Sequence, residues 1–246
     1  MIPAQNGIDG KVTVSFHGNV ALLTMDRGEN RLSPSFFDAM QNALDEVESN
    51  PDAQVLVVTG KGKFFSNGID LDYLKAQGQK DFGEDFGREF GARLFRLLAR
   101  IVEFPLITVA AINGHVFAGG ALLTLAFDYR VMNNEKGWFC INEVHLGLGI
   151  PPYLQEIARL KMQSPMVFME ALVLGRRYTG QEAKEHGIVQ EISTQAELID
   201  TATEAGNRII PKNGFNSKYL HNSKLNVFGL KIRPLKDSVG MVKSVL

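Results

Sequence analysis

Glu143 is the residue best placed in this chain to move a proton. It follows the β-rich run WFCI and sits among Ile141, Val144, Leu146 and Leu148. Apolar surroundings disfavour a carboxylate's charged form and raise its pKa, which suits reversible proton transfer near neutrality. Taken alone, a glutamate at a strand end also reads as an exposed or ion-paired residue. Two other stretches, KFFSNGIDL (63–71) and INGHVFAGGALL (112–123), have the pattern of a strand that ends, turns on glycine and enters a helix. The first N–H groups of such a helix have no intrahelical acceptor and lie at the positive end of its dipole, so they can hold an oxygen that is becoming negative. Gly68, Gly119 and Gly120 allow a ligand close to the backbone. Their plain reading is ordinary helix–strand turns. His115 and His145 lie beside these motifs, as second proton donors or as structural hydrogen-bonding residues.

The elements that must position these groups alternate along the chain. VTVSF (12–16) and VALLTM (20–25), separated by His17-Gly18-Asn19, read as a hairpin. Ser33-Pro34 opens a helix whose apolar positions Phe36, Phe37, Met40, Leu44 and Val47 recur at helical spacing until Asn50-Pro51. QVLVVTG (54–60) and LITVAAING (106–114) are apolar runs typical of strands buried on both faces. Between them a helix is predicted over 84–103, with Phe86, Phe90, Leu94 and Leu98 on one side. Helix is then predicted for GALLTLAF, PYLQEIARL, PMVFMEALVLG and GQEAKEHG. Strand is predicted for YRVMN (129–133), GWFCINE (137–143) and IVQEI (188–192). After about residue 194 the pattern turns helical, which divides the chain into a core, 1–195, and a helical C-terminal region, 196–246.

Composition narrows the function classes. With 246 residues, 45% of them hydrophobic and 22% charged, the chain can bury a sizeable core. The longest uncharged apolar run, Val116 to Phe127, is far short of the roughly 20 residues that span a bilayer. The first residues have no signal-peptide or presequence pattern, so an intracellular protein is expected. Cys140 is the only cysteine, which removes an intrachain disulfide or a cysteine-based metal cluster and leaves a small buried hydrophobe. Residues 208–246 carry eight Lys/Arg against Asp237 alone. That basic segment is a solvated face packed on an acidic body or subunit, or a site for phosphates, nucleic acid or an anionic membrane. Asp-Phe-Gly occurs twice in DFGEDFGREFG (81–91), but without a Gly-rich phosphate loop or a His-Arg-Asp loop a kinase reading fails. Those glycines read as loosening a helix start or loop beside the pocket.

FFSNGIDL, AAINGHVFAGGALLTLAFDYRV, NEVHLGLGIPP and LGRRYTGQEAKEHGIV, in this order and at these distances, resemble the crotonase family of enoyl-CoA hydratases and isomerases over roughly residues 10–195. The resemblance implies an α/β spiral of β-β-α units with a helical C-terminal region that packs in a homotrimer or hexamer. It implies that the N–H groups of Ile69 and Gly119 hold the thioester oxygen. Each such donor is worth about 2.7–4 kcal/mol to a transition state. It places Phe65, Ser66, Gly68, Asp70 and Leu71 in the CoA-thioester site, with Asp70 bracing the loop. Lys61, Lys63 and Lys224 are candidates for the CoA phosphates. The thioester is the substrate, and no separate cofactor or metal is implied.

Hydratases of the family use two glutamates to handle water, one of them three residues after Gly119. Here that position is Leu122, and Glu143 is left as the single base. One base can take a proton from C2 of a 3-enoyl-CoA and return it at C4, and similar isomerases carry an Asn-Glu pair like Asn142-Glu143. The resemblance therefore implies a Δ3-Δ2-enoyl-CoA isomerase of unsaturated fatty acid β-oxidation. The alternatives are another lone-base reaction (dienoyl isomerisation, decarboxylation or thioester hydrolysis) and a module that binds acyl-CoA or protein without turnover. Ala118-Gly119-Gly120 has two glycines where the family often has three, which predicts a slightly reshaped oxyanion hole. Family habit allows a peroxisomal location, although the final Ser-Val-Leu differs from Ser-Lys-Leu in its middle residue. Nucleic acid is not an expected partner.

Overall fold

A computed structural model describes residues 10–76, 88–162 and 164–229. The expected hairpin is present as β1 (Lys11–His17) and β2 (Val20–Asp26), antiparallel around a Gly18 with φ +60. Helix α1 (Pro34–Glu48) starts where Ser33 accepts the Phe36 N–H, and buries the five apolar residues predicted for it. Each large side chain removed from water in this way contributes about 1.5–3 kcal/mol.

The chain then repeats one path three times. Strand β3 (Val55–Gly60) leads to β4 (Phe64–Ser66) and the short helix α2 (Leu71–Ala76). After helix α3 (Arg88–Val102), β5 (Ile107–Ile112) leads to β6 (His115–Phe117) and α4 (Gly119–Leu125). Strand β7 (Tyr129–Asn133) leads to β8 (Phe139–Cys140) and a 3₁₀ turn, Glu143–Leu146. The first strand of each pair joins a six-stranded sheet, ordered β1-β2-β3-β5-β7-β9, and the second joins a parallel three-stranded sheet, ordered β4-β6-β8. This is the spiral of β-β-α units expected from the sequence. Helices α5 (Pro152–Lys161), α6 (Pro165–Leu172) and α7 (Gly180–Glu185) follow, then strand β9 (Glu191–Ser193), α8 (Leu198–Arg208) and a last helix, α9, over 217–229.

The long sheet is buried on both faces, as the uninterrupted apolar runs of β3 and β5 require. Val55, Val57 and Val109 pack beneath Leu198, Ala202 and Ala205 of α8, while Leu56, Val58 and Ala110 face the main core. Helix α8 comes so close that a Cβ on Gly206 would lie 2.5 Å from Val55 Cγ1. The segment after 195 thus contributes directly to the sheet's cover.

Three sequence expectations shift. The strand predicted at 188–192 forms only at Glu191–Ser193, because Ile188 and Val189 give their N–H groups to Ala183 O at the end of α7. That of 137–143 shrinks to Phe139–Cys140, bounded by Gly137 (φ +100) and the 3₁₀ turn. Of the helix predicted over 84–103, the described part is α3; Phe86 and the glycines of 81–87 lie outside the described residues. Cys140 is fully buried, its Sγ 3.2 Å from Gly175 O and its thiol pushed up to about 11 by burial. Among the described residues no helix is long and apolar enough to cross a membrane.

Candidate active site

The three segments singled out in the sequence leave the short sheet from the ends of adjacent strands. Gly68-Ile69 follows β4, Gly119 follows β6 and Glu143 follows β8, and β4, β6 and β8 are neighbours in that order. Parallel pairing points the carboxyl ends of all three strands the same way. Ile69, Gly119 and Glu143 consequently line one cavity of about 280 Å³.

Two backbone N–H groups are free there. A parallel bridge between Leu32 and Ile69 uses Leu32 N–H to Gly68 O and Asp70 N–H to Leu32 O, which turns the Ile69 N–H to the opposite side of the strand. Gly119 opens α4, where the first N–H groups have no intrahelical acceptor. Neither N–H takes an acceptor among the described residues. The two arms touch: a Cβ on Gly68 (φ +78) would lie 2.9 Å from Ala118 Cβ and 3.3 Å from Gly119 N. Ser66 braces this junction, donating to Asn30 O and accepting the Gly68 N–H.

Ala118 replaces the third glycine at a cost. Its φ of 50 and ψ of −127 match the first central position of a type II′ turn, which glycine dominates. This rotation sets the direction of the Gly119 N–H and stores strain of roughly 1–3 kcal/mol. Ala118→Gly is expected to raise unfolding stability by about 1 kcal/mol once the added chain entropy of glycine is subtracted, read as a higher urea midpoint with unchanged slope.

Glu143 is 9% exposed, and its Oε2 has no hydrogen-bond partner. Burial pushes its carboxyl up to about 7. Leu122, 1% exposed, lines the same cavity at the position of the hydratases' other glutamate. Leu94 and Leu98 of α3, with Leu148, Ile150 and Leu154, make the remaining wall apolar, as expected for the helix assigned to the pocket wall. At the polar end are Arg31, Asn67 and Lys75. Arg31 pairs with Glu29 (2.6 Å) and Asp72 (2.8 Å).

Of the other candidates, Leu71 lines the cavity, and Asp70 accepts the Tyr73 N–H in the first turn of α2. Phe65 is fully buried in the core. Lys63 lies 5.4 Å from the Phe64 ring centroid. Lys61 is a correction: it pairs with Asp26 (2.8 Å) and lines a separate groove beside β1 and β2. Lys224 is a second correction. It is 6% exposed, and its ammonium donates to Asp128 (2.5 Å) and Leu106 O (2.8 Å), so it ties α9 to the body and is not free for a phosphate. Neither histidine lines the cavity. His115 packs between the rings of Phe64 and Phe117, its pKa lowered by burial and by nearby Lys63 and Arg177. His145 is exposed, with Nε2 3.1 Å from Leu174 O.

Arg31 and Asn67 were not foreseen as lining residues. Both owe their place to pairing across some 37 residues: the Leu32–Ile69 bridge and the Asn67 N–H to Glu29 O bond. Local periodicity carries no signal of either.

Residues 15–225 match the family described as enoyl-CoA hydratase/isomerase. The chain belongs to that family. Among members of this hydratase/isomerase family, it is 28% identical over 231 residues to the peroxisomal enoyl-CoA delta isomerase 2 of Arabidopsis thaliana, covering 90% of this chain and 96% of that one. It is 33% identical over 195 residues to enoyl-CoA delta isomerase 3 of the same plant, covering 78% and 81%. A solved enoyl-CoA isomerase from Mycobacterium tuberculosis superposes with a TM-score of 0.81 at 26% identity, covering 96% of this chain and 98% of that one.

Proposed function

We propose that this protein is an enoyl-CoA isomerase that moves the double bond of a 3-enoyl-CoA to the 2-trans position. The observation that carries the reading is a single buried carboxylate, Glu143, sharing a cavity with two free N–H groups and with Leu122. Ionised Glu143 removes a proton from C2. The C–H electron pair delocalises through the thioester carbonyl and the C3–C4 double bond, and the N–H groups of Ile69 and Gly119 hold the resulting oxyanion. Protonated Glu143 then returns the proton at C4, leaving a double bond between C2 and C3. A carboxyl near pH 7 can serve in both half-steps, because neither form is strongly preferred.

The test is a spectroscopic assay with trans-3-hexenoyl-CoA and trans-3-octenoyl-CoA, run beside hydration of the matching 2-enoyl-CoA. Appearance of the conjugated product with no hydration is expected. Rapid hydration, or bound acyl-CoA without turnover, would overturn the reading. The reaction serves β-oxidation of unsaturated chains, and a peroxisomal site of action is supported by the names of two plant relatives. Self-association as a trimer or hexamer is supported by exposed Met166, Val173 and Leu174 on and just after α6, and light scattering of the purified protein reads it directly.

A further inference from the structure

Asn142 stands at the N-cap of the 3₁₀ turn that carries Glu143, yet its side chain makes no capping bond. Asparagine is among the residues most favoured at such a position because its oxygen normally accepts an N–H of the first turn. Here that oxygen is buried and has no hydrogen-bond partner, and the residue lines the cavity. A buried unpaired acceptor is unfavourable, and native structures rarely keep one without a use.

We propose that Asn142 is a substrate-contacting residue whose side-chain oxygen accepts the amide N–H nearest the sulfur of a coenzyme A thioester. This rests on the acyl-CoA reading of the cavity. The assignment follows from matching donors with acceptors. The thioester oxygen is an acceptor and is matched by the N–H groups of Ile69 and Gly119. The acyl chain carries neither donor nor acceptor and is matched by the leucine wall. Glu143 is committed to carbon acidity. What remains on the protein side is an amide acceptor, and what remains on the ligand near its reacting end is the cysteamine amide N–H. Asn142 thereby distinguishes pantetheine thioesters from simple thioesters.

The test uses saturated octanoyl thioesters, which bind without reacting: one of N-acetylcysteamine, which carries the amide, and one of butanethiol, which lacks it. The intact protein is expected to bind the first about fivefold to tenfold more tightly, as one hydrogen bond allows, and Asn142→Ala to bind the two equally. Thermal melting should be unchanged or higher in Asn142→Ala, since the side chain caps nothing. A preference for the amide-bearing thioester that survives in Asn142→Ala, or no preference in the intact protein, would overturn the assignment. So would a lowered melting temperature, which marks a structural role. Failure of the isomerase reading looks different: 3-enoyl-CoA is not turned over, while the thioester preference and its loss in Asn142→Ala persist.

Discussion

Glu143→Gln is expected to lower kcat for 3-enoyl-CoA isomerisation by about 10²–10⁴-fold, the usual contribution of a positioned acid–base group, with little change in KM. The amide keeps the shape of the side chain and removes its only titrating function. In the unsubstituted enzyme kcat/KM should rise with pH through about 7 and then level, because Glu143 must be ionised to take the C2 proton. The same carboxylate predicts a stability effect of opposite sense. Its folded pKa of about 7 lies above the ordinary 4.5, so between these values the folded state binds more protons than the unfolded one. Stability is then fully present below about pH 4.5 and declines as pH rises through 7, by at most about 3 kcal/mol. Glu143→Gln removes that decline. It should be the more stable protein at pH 8, with the gap closing toward pH 4.5, as urea unfolding at the two pH values will show. A variant that stays fully active, or whose stability tracks the unsubstituted protein at every pH, would sink the assignment of Glu143 as a buried base.

Gly68→Ala is the second large effect. The new Cβ would occupy a left-handed backbone position, φ +78, which costs roughly 1–2 kcal/mol. It would also meet Ala118 Cβ at 2.9 Å and Phe117 O at 3.0 Å. The only relief is to part the two arms that carry the Ile69 and Gly119 N–H groups. A displacement near 1 Å at a catalytic centre costs about 10² in rate, so kcat should fall about a hundredfold with a smaller change in KM. The partner of the clash supplies a control. Combining Gly68→Ala with Ala118→Gly removes the Cβ–Cβ contact, so the double variant should recover part of the lost rate. That non-additivity is expected only for residues in direct contact. Unchanged kcat in Gly68→Ala would place the oxyanion donors elsewhere.

Much of this architecture was legible in the sequence, and for identifiable reasons. Uninterrupted apolar runs mark β3 and β5 because both faces of the long sheet are covered, and Ser33-Pro34 marks α1 because capping and a fixed φ are local properties. Glu143, Gly68 and Gly119 were visible as chemistry looking for a scaffold, and their convergence is a property of the short sheet. Strands of two or three residues such as β4, β6 and β8 are too brief to show a period of two, so their separation from the long sheet was hidden. The lysines failed for a different reason: a charge run in sequence does not say which cation finds a buried carboxylate. Asp128 claims Lys224 across 96 residues, and Asp26 claims Lys61 across 35.

The short sheet has one more consequence, and it concerns time. Each catalytic segment hangs from a different turn of the spiral, so no contiguous stretch of chain can assemble the site by itself. Closing loops of some 50 residues between Ile69 and Gly119, and some 24 between Gly119 and Glu143, demands entropy that only a formed long sheet can offset. The hairpin and the cover of β3 and β5 can be in place while the cavity is still absent. The enzyme's competence is therefore a late event in its own folding, reached after most of its core is already dry.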